Sequence, residues 1–567
     1  MADAVGSSPA ADEVRPYKIH VPTRHLNLAR QKLELTRLPR EGSLPKSTEW
    51  WEPKPVVEPL IDYWVEKYNF RDIESNLNAN IPQFRTSFAL AESESPLRIH
   101  FIHARSSSAD ALPLLVLPPF PLTNLSLSHL IHPLTTPSDS TQQAFHVVIP
   151  SLPGLGFSDS LPNNSSPIAG TASIFNTLMT ARLGYTHYLT TTTSPGSSSP
   201  AQIDFLLAHT LSATYSDSNL ATHFISPVLS PPKLLASPIE FAKWSLAWFM
   251  RGGVAGYEER DFLGYYGSPS SPTIAEIKDP NTLAYGLCDS PVGMLAFVLR
   301  HLRKAGSSDV IGAKGTFTKE ELITLTNLAW LPGPEGLLRF WSGTSLHHPS
   351  HQLPPPPQPK TKPKVGITVF ASSYTSSSTT TTPAPDPESN TTDFSLSHLG
   401  GHHHHLNPRP KFCPPAWAHS FYSVLHTTRI DSQPLSSLLL FEQPDVIFTG
   451  VRSLAKEVLN TDKRIIPIAP LAGVVVDSGA PVSAAATTQE KTIKPVASEP
   501  PILRTIREEK AEEKGKGKDV MMDEGLLLLP PQTMPGVKRE LSDGSGGGGL
   551  SSPDTLVEGS PSPFGRA

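Results

Sequence analysis

The pattern of apolar positions predicts buried strands and amphipathic helices over most of the chain. Residues 114–117 and 147–149 are continuous apolar runs that stop at proline, as buried strands do. Residues 97–103 alternate like a strand, and residues 57–68 carry apolar side chains at helical spacing. The Pro- and Gly-rich segment 150–158 follows the second run, which indicates a strand that ends in a tight loop.

Proline-rich and Ser/Thr-rich segments interrupt this ordered pattern. The chain has 60 prolines in 567 residues, about twice the usual share of roughly 5 %. Their clustering predicts a linker at 346–364 and a low-complexity insertion at 371–410, and the small, polar residues 1–14 are predicted to be disordered. Residues 467–567 are predicted to be a disordered tail, which offers a surface for a protein partner.

Charge and cysteine content exclude several classes of protein. A formal net charge of −5 gives no reason to expect nucleic acid or an anionic membrane as a partner. Cys288 and Cys413 are too few for a disulfide framework, and no apolar run approaches the ~18 residues that span a bilayer. The N-terminus lacks the features of a signal peptide, so we expect a cytoplasmic protein. We expect no cofactor and no metal, and we interpret the histidine run 402–405 as a solvated loop.

Several motifs, in order along the chain, resemble epoxide hydrolases of the microsomal type. They are the loop 150–158, the turn 118–121 and the segment 281–298, which is the strongest match. The resemblance covers roughly residues 15–345 and, less regularly, 365–460. It implies an α/β-hydrolase fold with a helical lid and hydrolysis of a small apolar epoxide to a diol through an ester intermediate. The parts that it predicts are an N-terminal meander (15–96), the first part of the core (97–230), the helical lid (231–298), a helical return to the core (299–345), a core strand (365–370) and the last part of the core (411–466).

The resemblance places Ser194 where the family has its nucleophilic aspartate, if residues 183–189 are the preceding strand and no gap is allowed. The family needs a carboxylate there, because the carboxylate forms the ester. Pro195 follows and has no N–H to donate to an oxyanion. We therefore interpret residues 190–195 as a low-complexity loop. Counting back from Tyr215 places the turn near residues 202–204 instead, which makes Asp204 the alternative nucleophile.

The oxyanion turn and the lid also depart from the family pattern. Pro118 and Pro119 stand where the family has the His-Gly pair of a His-Gly-x-Pro turn, so we expect a degraded turn. The family uses lid tyrosines as general acids. Tyr265 and Tyr266 are candidates from a shifted position, and a packed aromatic role is the competing interpretation.

The acid and the base of the family's triad are both replaced. Ser373 follows the strand 365–370 at the acid position, and Ser437 precedes residues 441–445 at the base position. A serine cannot carry the negative charge that stabilises an imidazolium. Asp386 or Asp393 would need a long rearrangement, and the Gly-Gly-His sequence at 400–402 lies in the wrong order.

Three interpretations follow. The first is a catalytically degraded family member that acts as a binding or interaction protein. The second is an active epoxide hydrolase or esterase that uses Ser194 or Asp204. The third is that segments 190–204 and 371–437 are incorrectly translated.

Overall fold

The computed structural model describes residues 13–40, 53–90, 95–163, 165–196, 199–263, 279–304, 316–347, 362–370, 413–431 and 438–465. All of them belong to one compact unit within residues 1–476. The predicted insertion 371–410 and tail 467–567 lie outside these residues, as does nearly all of segment 1–14 and most of 346–364.

The described strands form one sheet in the order β1-β2-β3-β5-β4-β6-β7-β8-β9. In this order, neighbouring strands are antiparallel from β1 to β5. From β5 onward, through β4, β6, β7 and β8 to β9, neighbouring strands are parallel. The strands are β1 (Arg15–Pro16), β2 (Gln83–Phe88), β3 (Leu97–Ala104), β4 (Leu112–Val116), β5 (Phe145–Pro150), β6 (Tyr188–Pro195), β7 (Asn219–Ile225), β8 (Lys364–Phe370) and β9 (Ser423–Ile430).

Helices cover both faces of this sheet. The α-helices are α1 (Thr23–Glu34), α2 (Lys54–Glu66), α3 (Phe70–Asn80), α4 (Ile131–Thr135), α5 (Pro167–Thr177), α6 (Ile203–Thr214), α7 (Pro238–Met250), α8 (Arg260–Leu263), α9 (Pro280–Asp289), α10 (Pro291–Lys304), α11 (Lys319–Trp330), α12 (Glu335–His347), α13 (Leu439–Glu442) and α14 (Pro444–Thr461). Shorter turns of 3-10 helix span Asn124–Leu130, Pro200–Gln202 and Pro415–Ser420, and a π-helical turn spans Leu178–Arg182.

The continuous apolar runs are strands buried on both faces. In β4, Leu115 belongs to one hydrophobic core, whereas Leu114 and Val116 belong to the other. In β5, Val148 belongs to the same core as Leu115, and Val147 belongs to the other core. Side chains alternate across a strand, so a sheet that is covered on both sides requires apolar residues at every position.

The interpretation of residues 190–195 as a loop is wrong, because they form most of β6 in the middle of the sheet. Every residue of β6 is buried. Threonine is β-branched and suits a strand, provided that its hydroxyl is satisfied. Thr190 Oγ1 donates to Asn219 Oδ1 (3.0 Å), and Thr193 Oγ1 donates to the Leu117 carbonyl (2.7 Å).

The loop after β5 packs tightly against the start of α12. Gly154 has φ +80°, and a Cβ added to it would lie 3.0 Å from the backbone of Gly336. Glycine at both positions therefore permits the close approach of the two backbones.

No single helix among the described residues is long and apolar enough to cross a bilayer. Taken together, α9 and the larger part of α10 (Pro291–Arg303) are long and apolar enough to cross a bilayer. The two helices are bent by 118° relative to each other.

Candidate active site

The candidate site lies where two neighbouring parallel strands end. The turn 118–121 follows β4, and β6 ends at Pro195 shortly before α6 begins at Ile203. Since β4 and β6 are paired in parallel, their carboxyl ends lie side by side. Ligands of parallel α/β sheets bind at this edge.

Asp204 is the charged group at this edge. It is the second residue of α6, is buried, and accepts two hydrogen bonds through different oxygens. The backbone N–H of Phe120 donates to Oδ1 (2.8 Å), and the hydroxyl of Ser194 donates to Oδ2 (2.6 Å). The structure therefore brings together both candidate nucleophiles, Ser194 and Asp204.

The turn between β6 and α6 has an unusual backbone conformation. Ala201 and Gln202 have φ of +50° and +55°, which non-glycine residues adopt uncommonly. The hydroxyl of Ser199 accepts a hydrogen bond from the Asp204 N–H (3.1 Å). Because Gln202 is the residue that precedes the helix, Asp204 lies in the first turn, where the helix dipole favours a negative charge.

Burial raises the pKa of Asp204 to about 7, although the hydrogen bonds from Ser194, Phe120 and Ser199 act in the opposite direction. A carboxyl group with this pKa is present in both protonation states near neutral pH. As a carboxylate it can attack an electrophilic carbon, and as an acid it can donate a proton.

The turn 118–121, which we expect to be degraded, has a backbone N–H that forms a hydrogen bond at this site. Pro118 and Pro119 have no N–H, but the donor in this structure is the third residue of the turn, Phe120. The ring of Phe120 stacks on Phe340 and lies edge-to-face with Trp341, at centroid distances of 6.2 and 6.1 Å. The turn is thus held by aromatic packing, and its donor is directed at Asp204.

The other predicted site residues, Tyr265, Tyr266, Ser373 and Ser437, lie outside the described residues, as do Asp386, Asp393 and residues 400–405. Among the described lid residues, Tyr257 is buried, and its hydroxyl has no hydrogen-bond partner in the part of the chain that the structure describes. Burial raises the pKa of this phenol, with smaller contributions from Glu240 and Asp261.

The buried histidines of the described core are not part of this site. His223 lies between the hydroxyls of Thr191 (3.0 Å) and Thr368 (2.9 Å), and burial lowers its pKa to about 3. His209 is bonded to the Tyr422 hydroxyl, and burial lowers its pKa to about 4. Among the described residues, no histidine is bonded to the carboxyl group of Asp204, and no group of three or more His, Cys, Asp or Glu side chains is arranged to hold a metal.

Sequence reasoning missed Phe120 and Ser199 as members of the site. The position of Phe120, third in the four-residue turn, was the signal that could have identified it as the donor. Nothing in the Ser-rich segment singles out Ser199, because its role depends on how the turn before α6 folds.

The chain is similar in sequence to known epoxide hydrolases. Residues 14–127 match the family described as "Epoxide hydrolase N terminus". The chain is 30 % identical over 327 residues to a putative epoxide hydrolase of Stigmatella aurantiaca, which covers 56 % of this chain and 66 % of that protein. It is 27 % identical over 359 residues to epoxide hydrolase 1 of Sus scrofa, which covers 58 % of this chain and 72 % of that protein.

The fold resembles two solved structures. One is an epoxide hydrolase of Aspergillus niger, with a TM-score of 0.53, 16 % identity, and coverage of 79 % of this chain and 98 % of that one. The other is the juvenile hormone epoxide hydrolase of Bombyx mori, with a TM-score of 0.56, 20 % identity, and coverage of 79 % and 95 %. This likeness confirms the predicted α/β-hydrolase fold.

Proposed function

We propose that the chain is a divergent epoxide hydrolase that opens epoxide rings with the carboxylate of Asp204, a proposal supported by its similarity to epoxide hydrolases in sequence and fold. The observation that supports this assignment is the hydrogen bond from the Phe120 N–H to Asp204 Oδ1. An oxyanion donor stabilises the oxygen of the carbonyl group that is attacked. Here that donor is directed at an oxygen of Asp204 itself, as an ester of Asp204 requires.

The same bond favours Asp204 over Ser194. If Ser194 were the nucleophile, its own ester would need the Phe120 N–H, which Asp204 Oδ1 occupies. Ser194 donates to Oδ2, and this bond stabilises the charged form of the carboxyl group. We assign Ser194 to the control of Asp204 rather than to the attack.

The reaction has two steps. Oδ2 attacks a ring carbon, the C–O bond of the epoxide breaks, and the ring oxygen takes a proton from water, leaving a hydroxyalkyl ester of Asp204. A second water then adds to Cγ of the ester and gives a proton to the hydroxide that the first step left, and Oδ1, on which negative charge develops, accepts the hydrogen bond from the Phe120 N–H. Collapse of this intermediate breaks the Cγ–Oδ2 bond, the departing oxygen takes the proton of the added hydroxyl group, and a diol leaves while the carboxylate is restored with one oxygen from water.

A second candidate is a protein that binds a small apolar epoxide-like ligand without turnover. The sequence favours it, because Ser373 and Ser437 stand at the acid and base positions of the resemblance and Pro195 offers no N–H. The two candidates differ in whether Asp204 is alkylated.

Incubation of the purified full chain with styrene oxide tests the proposal. We expect a mass increase of one styrene oxide on Asp204, located by intact-mass and peptide spectrometry, together with the release of phenylethanediol. Asp204→Asn should reduce both signals by at least about 10³-fold, because it removes the nucleophile.

Alkylation or diol formation by Asp204→Asn at the rate of the wild type would overturn the role of Asp204. If the wild type shows a saturable thermal shift with styrene oxide but neither adduct nor diol, the binding protein is the correct candidate. Thr190→Val, a change in β6 outside the site, is the matched control and should alkylate normally.

A further inference from the structure

The threonine run at 190–193 holds the neighbouring chain beyond the end of the regular strand. β4 ends at Val116, but β6 still binds both polar backbone groups of the next residue, Leu117. The Leu117 N–H donates to the Thr191 carbonyl (3.1 Å), and the Leu117 carbonyl accepts a hydrogen bond from the hydroxyl of Thr193 (2.7 Å). Thr193 and Leu117 are both buried, so water does not compete for this bond.

A second threonine hydroxyl holds the other side of β6. The register between β6 and β7 shifts between Thr191 and Pro195, so the pairing is irregular there. Within this irregular part, the hydroxyl of Thr192 accepts a hydrogen bond from the Ile225 N–H (3.1 Å). The last residues of β6 are therefore fixed to both neighbouring strands by threonine side chains.

The two residues that the Thr193 hydroxyl joins are each close in sequence to a donor to Asp204. Thr193 directly precedes Ser194, whose hydroxyl donates to Oδ2 (2.6 Å). Leu117 lies three residues before Phe120, whose N–H donates to Oδ1 (2.8 Å). One hydroxyl thus connects the two segments that bind the two oxygens of the carboxyl group.

The residues between Leu117 and Phe120 transmit the direction of the Leu117 carbonyl. They are Pro118 and Pro119, and the pyrrolidine ring fixes φ of each near −65°. Peptide bonds are planar, so only the ψ angles of the two prolines remain free to rotate between that carbonyl and the Phe120 N–H. A carbonyl held in place therefore restricts where the N–H can point.

We propose that Thr193 is a positioning residue of the candidate site, whose hydroxyl holds the Leu117 carbonyl and so directs the Phe120 N–H at Oδ1 of Asp204. This inference rests on the proposed function. In ring opening, negative charge leaves the carboxylate, so displacement of the N–H does not slow that step. In hydrolysis of the ester, negative charge develops on Oδ1, and displacement of the N–H slows that step.

Decay of the ester tests the proposal. The full chain is alkylated with styrene oxide, freed of excess reagent and followed by intact-mass spectrometry. Thr193→Val keeps the shape of the side chain but lacks the hydroxyl. We expect its ester to decay about 10- to 100-fold more slowly than that of the wild type, while its alkylation rate at the alkaline plateau of the pH profile stays within about threefold. Thr193→Ser, which keeps the hydroxyl, should restore decay to within about threefold of the wild type.

Thr190→Val is the matched control, because it removes a hydroxyl of the same strand that is bonded to Asn219 instead (3.0 Å). Its ester should decay at the rate of the wild type. Only molecules that have formed the ester enter this measurement, so partial unfolding of a variant does not change the rate constant of decay.

Three results would overturn this inference alone: equal decay of the esters of Thr193→Val and the wild type, no adduct on Thr193→Val, or decay of the Thr193→Ser or Thr190→Val ester as slow as that of Thr193→Val. In each of them the wild type still forms and releases its ester, so the role of Asp204 stands. A wild type that forms no adduct would instead overturn the proposed function and this inference with it.

Discussion

The backbone N–H of Phe120 donates a 2.8 Å hydrogen bond to Oδ1 of Asp204, although the two residues are 84 positions apart. This contact joins the turn after β4 to the start of α6. It directs a backbone N–H at a buried carboxyl group.

Because of Asp204, the free energy of unfolding should fall as pH rises from about 4 to 7. Burial raises its pKa to about 7, well above the ordinary value of 3.8, so between about pH 4 and 7 the folded state keeps a proton that the unfolded chain has lost. The free energy of unfolding then decreases by up to about 1.4 kcal/mol per pH unit across this range.

Urea unfolding of the wild type and of Asp204→Asn at a series of pH values measures this effect. The free energy of unfolding of Asp204→Asn minus that of the wild type should increase from about pH 4 to 7 and stay constant above pH 7. A difference that does not change with pH would contradict the raised pKa. Asp110→Asn, at an exposed carboxyl group, should change the unfolding free energy by less than about 0.5 kcal/mol at every pH.

Ser194→Ala should move the pH dependence of alkylation to more alkaline values. The Ser194 hydroxyl lowers the pKa of Asp204, so its removal raises that pKa further. The loss of a hydrogen bond to a charged group corresponds to about one pH unit or more. The rate of styrene oxide adduct formation, measured across about pH 5 to 9, gives the midpoint of the pH profile for each protein.

Thr190→Val provides the control for this profile, because Thr190 is bonded to Asn219 and not to Asp204. Its midpoint should equal that of the wild type. If Ser194→Ala instead abolishes the reaction at every pH, Ser194 is the nucleophile and the assignment of Asp204 is wrong.

Arg429→Met should strongly destabilise the fold. Arg429 in β9 makes two hydrogen bonds to the carboxylate of Asp261 in α8 (2.7 and 2.9 Å), and the Asp261 side chain is fully buried. Removal of the guanidinium leaves a buried carboxylate unpaired, which costs about 3–5 kcal/mol. Urea denaturation measures the loss. Arg30→Met, in the exposed pair with Glu34, should cost less than about 0.5 kcal/mol, and equal effects of the two changes would contradict the prediction.

Gly336→Ala should destabilise the contact between α12 and the loop after β5. A Cβ at residue 336 would collide with the backbone oxygen of Gly154, and the relief of such overpacking costs about 1–3 kcal/mol. Gly286→Ala is the matched control, because a Cβ there meets nothing within 4 Å and alanine favours α9 by about 0.5–1 kcal/mol. We expect Gly336→Ala to lower the free energy of unfolding and Gly286→Ala to raise it, as measured by thermal or urea unfolding. A neutral or stabilising Gly336→Ala would show that the two backbones separate easily.

The sequence alone predicted the strands around residues 97–103, 114–117 and 147–149, because a sheet that is covered on both faces needs apolar runs. Its ordered motifs indicated the family and the α/β-hydrolase fold. It also named both Ser194 and Asp204 as candidates, since each follows from one way of counting through the Ser/Thr segment. These conclusions depend on local patterns, which a sequence displays directly.

Tertiary structure decided the remaining points. Threonine-rich segments are compatible with a loop or with a strand, and only the partners of the hydroxyls, such as Asn219 and Leu117, make residues 190–195 a central strand. The contact between the Phe120 N–H and Asp204, on which our proposal of Asp204 over Ser194 rests, involves a backbone group whose target no sequence pattern specifies. Hydrogen bonds between residues far apart in the chain arise when the elements pack, and for this reason the site became visible only in the folded protein.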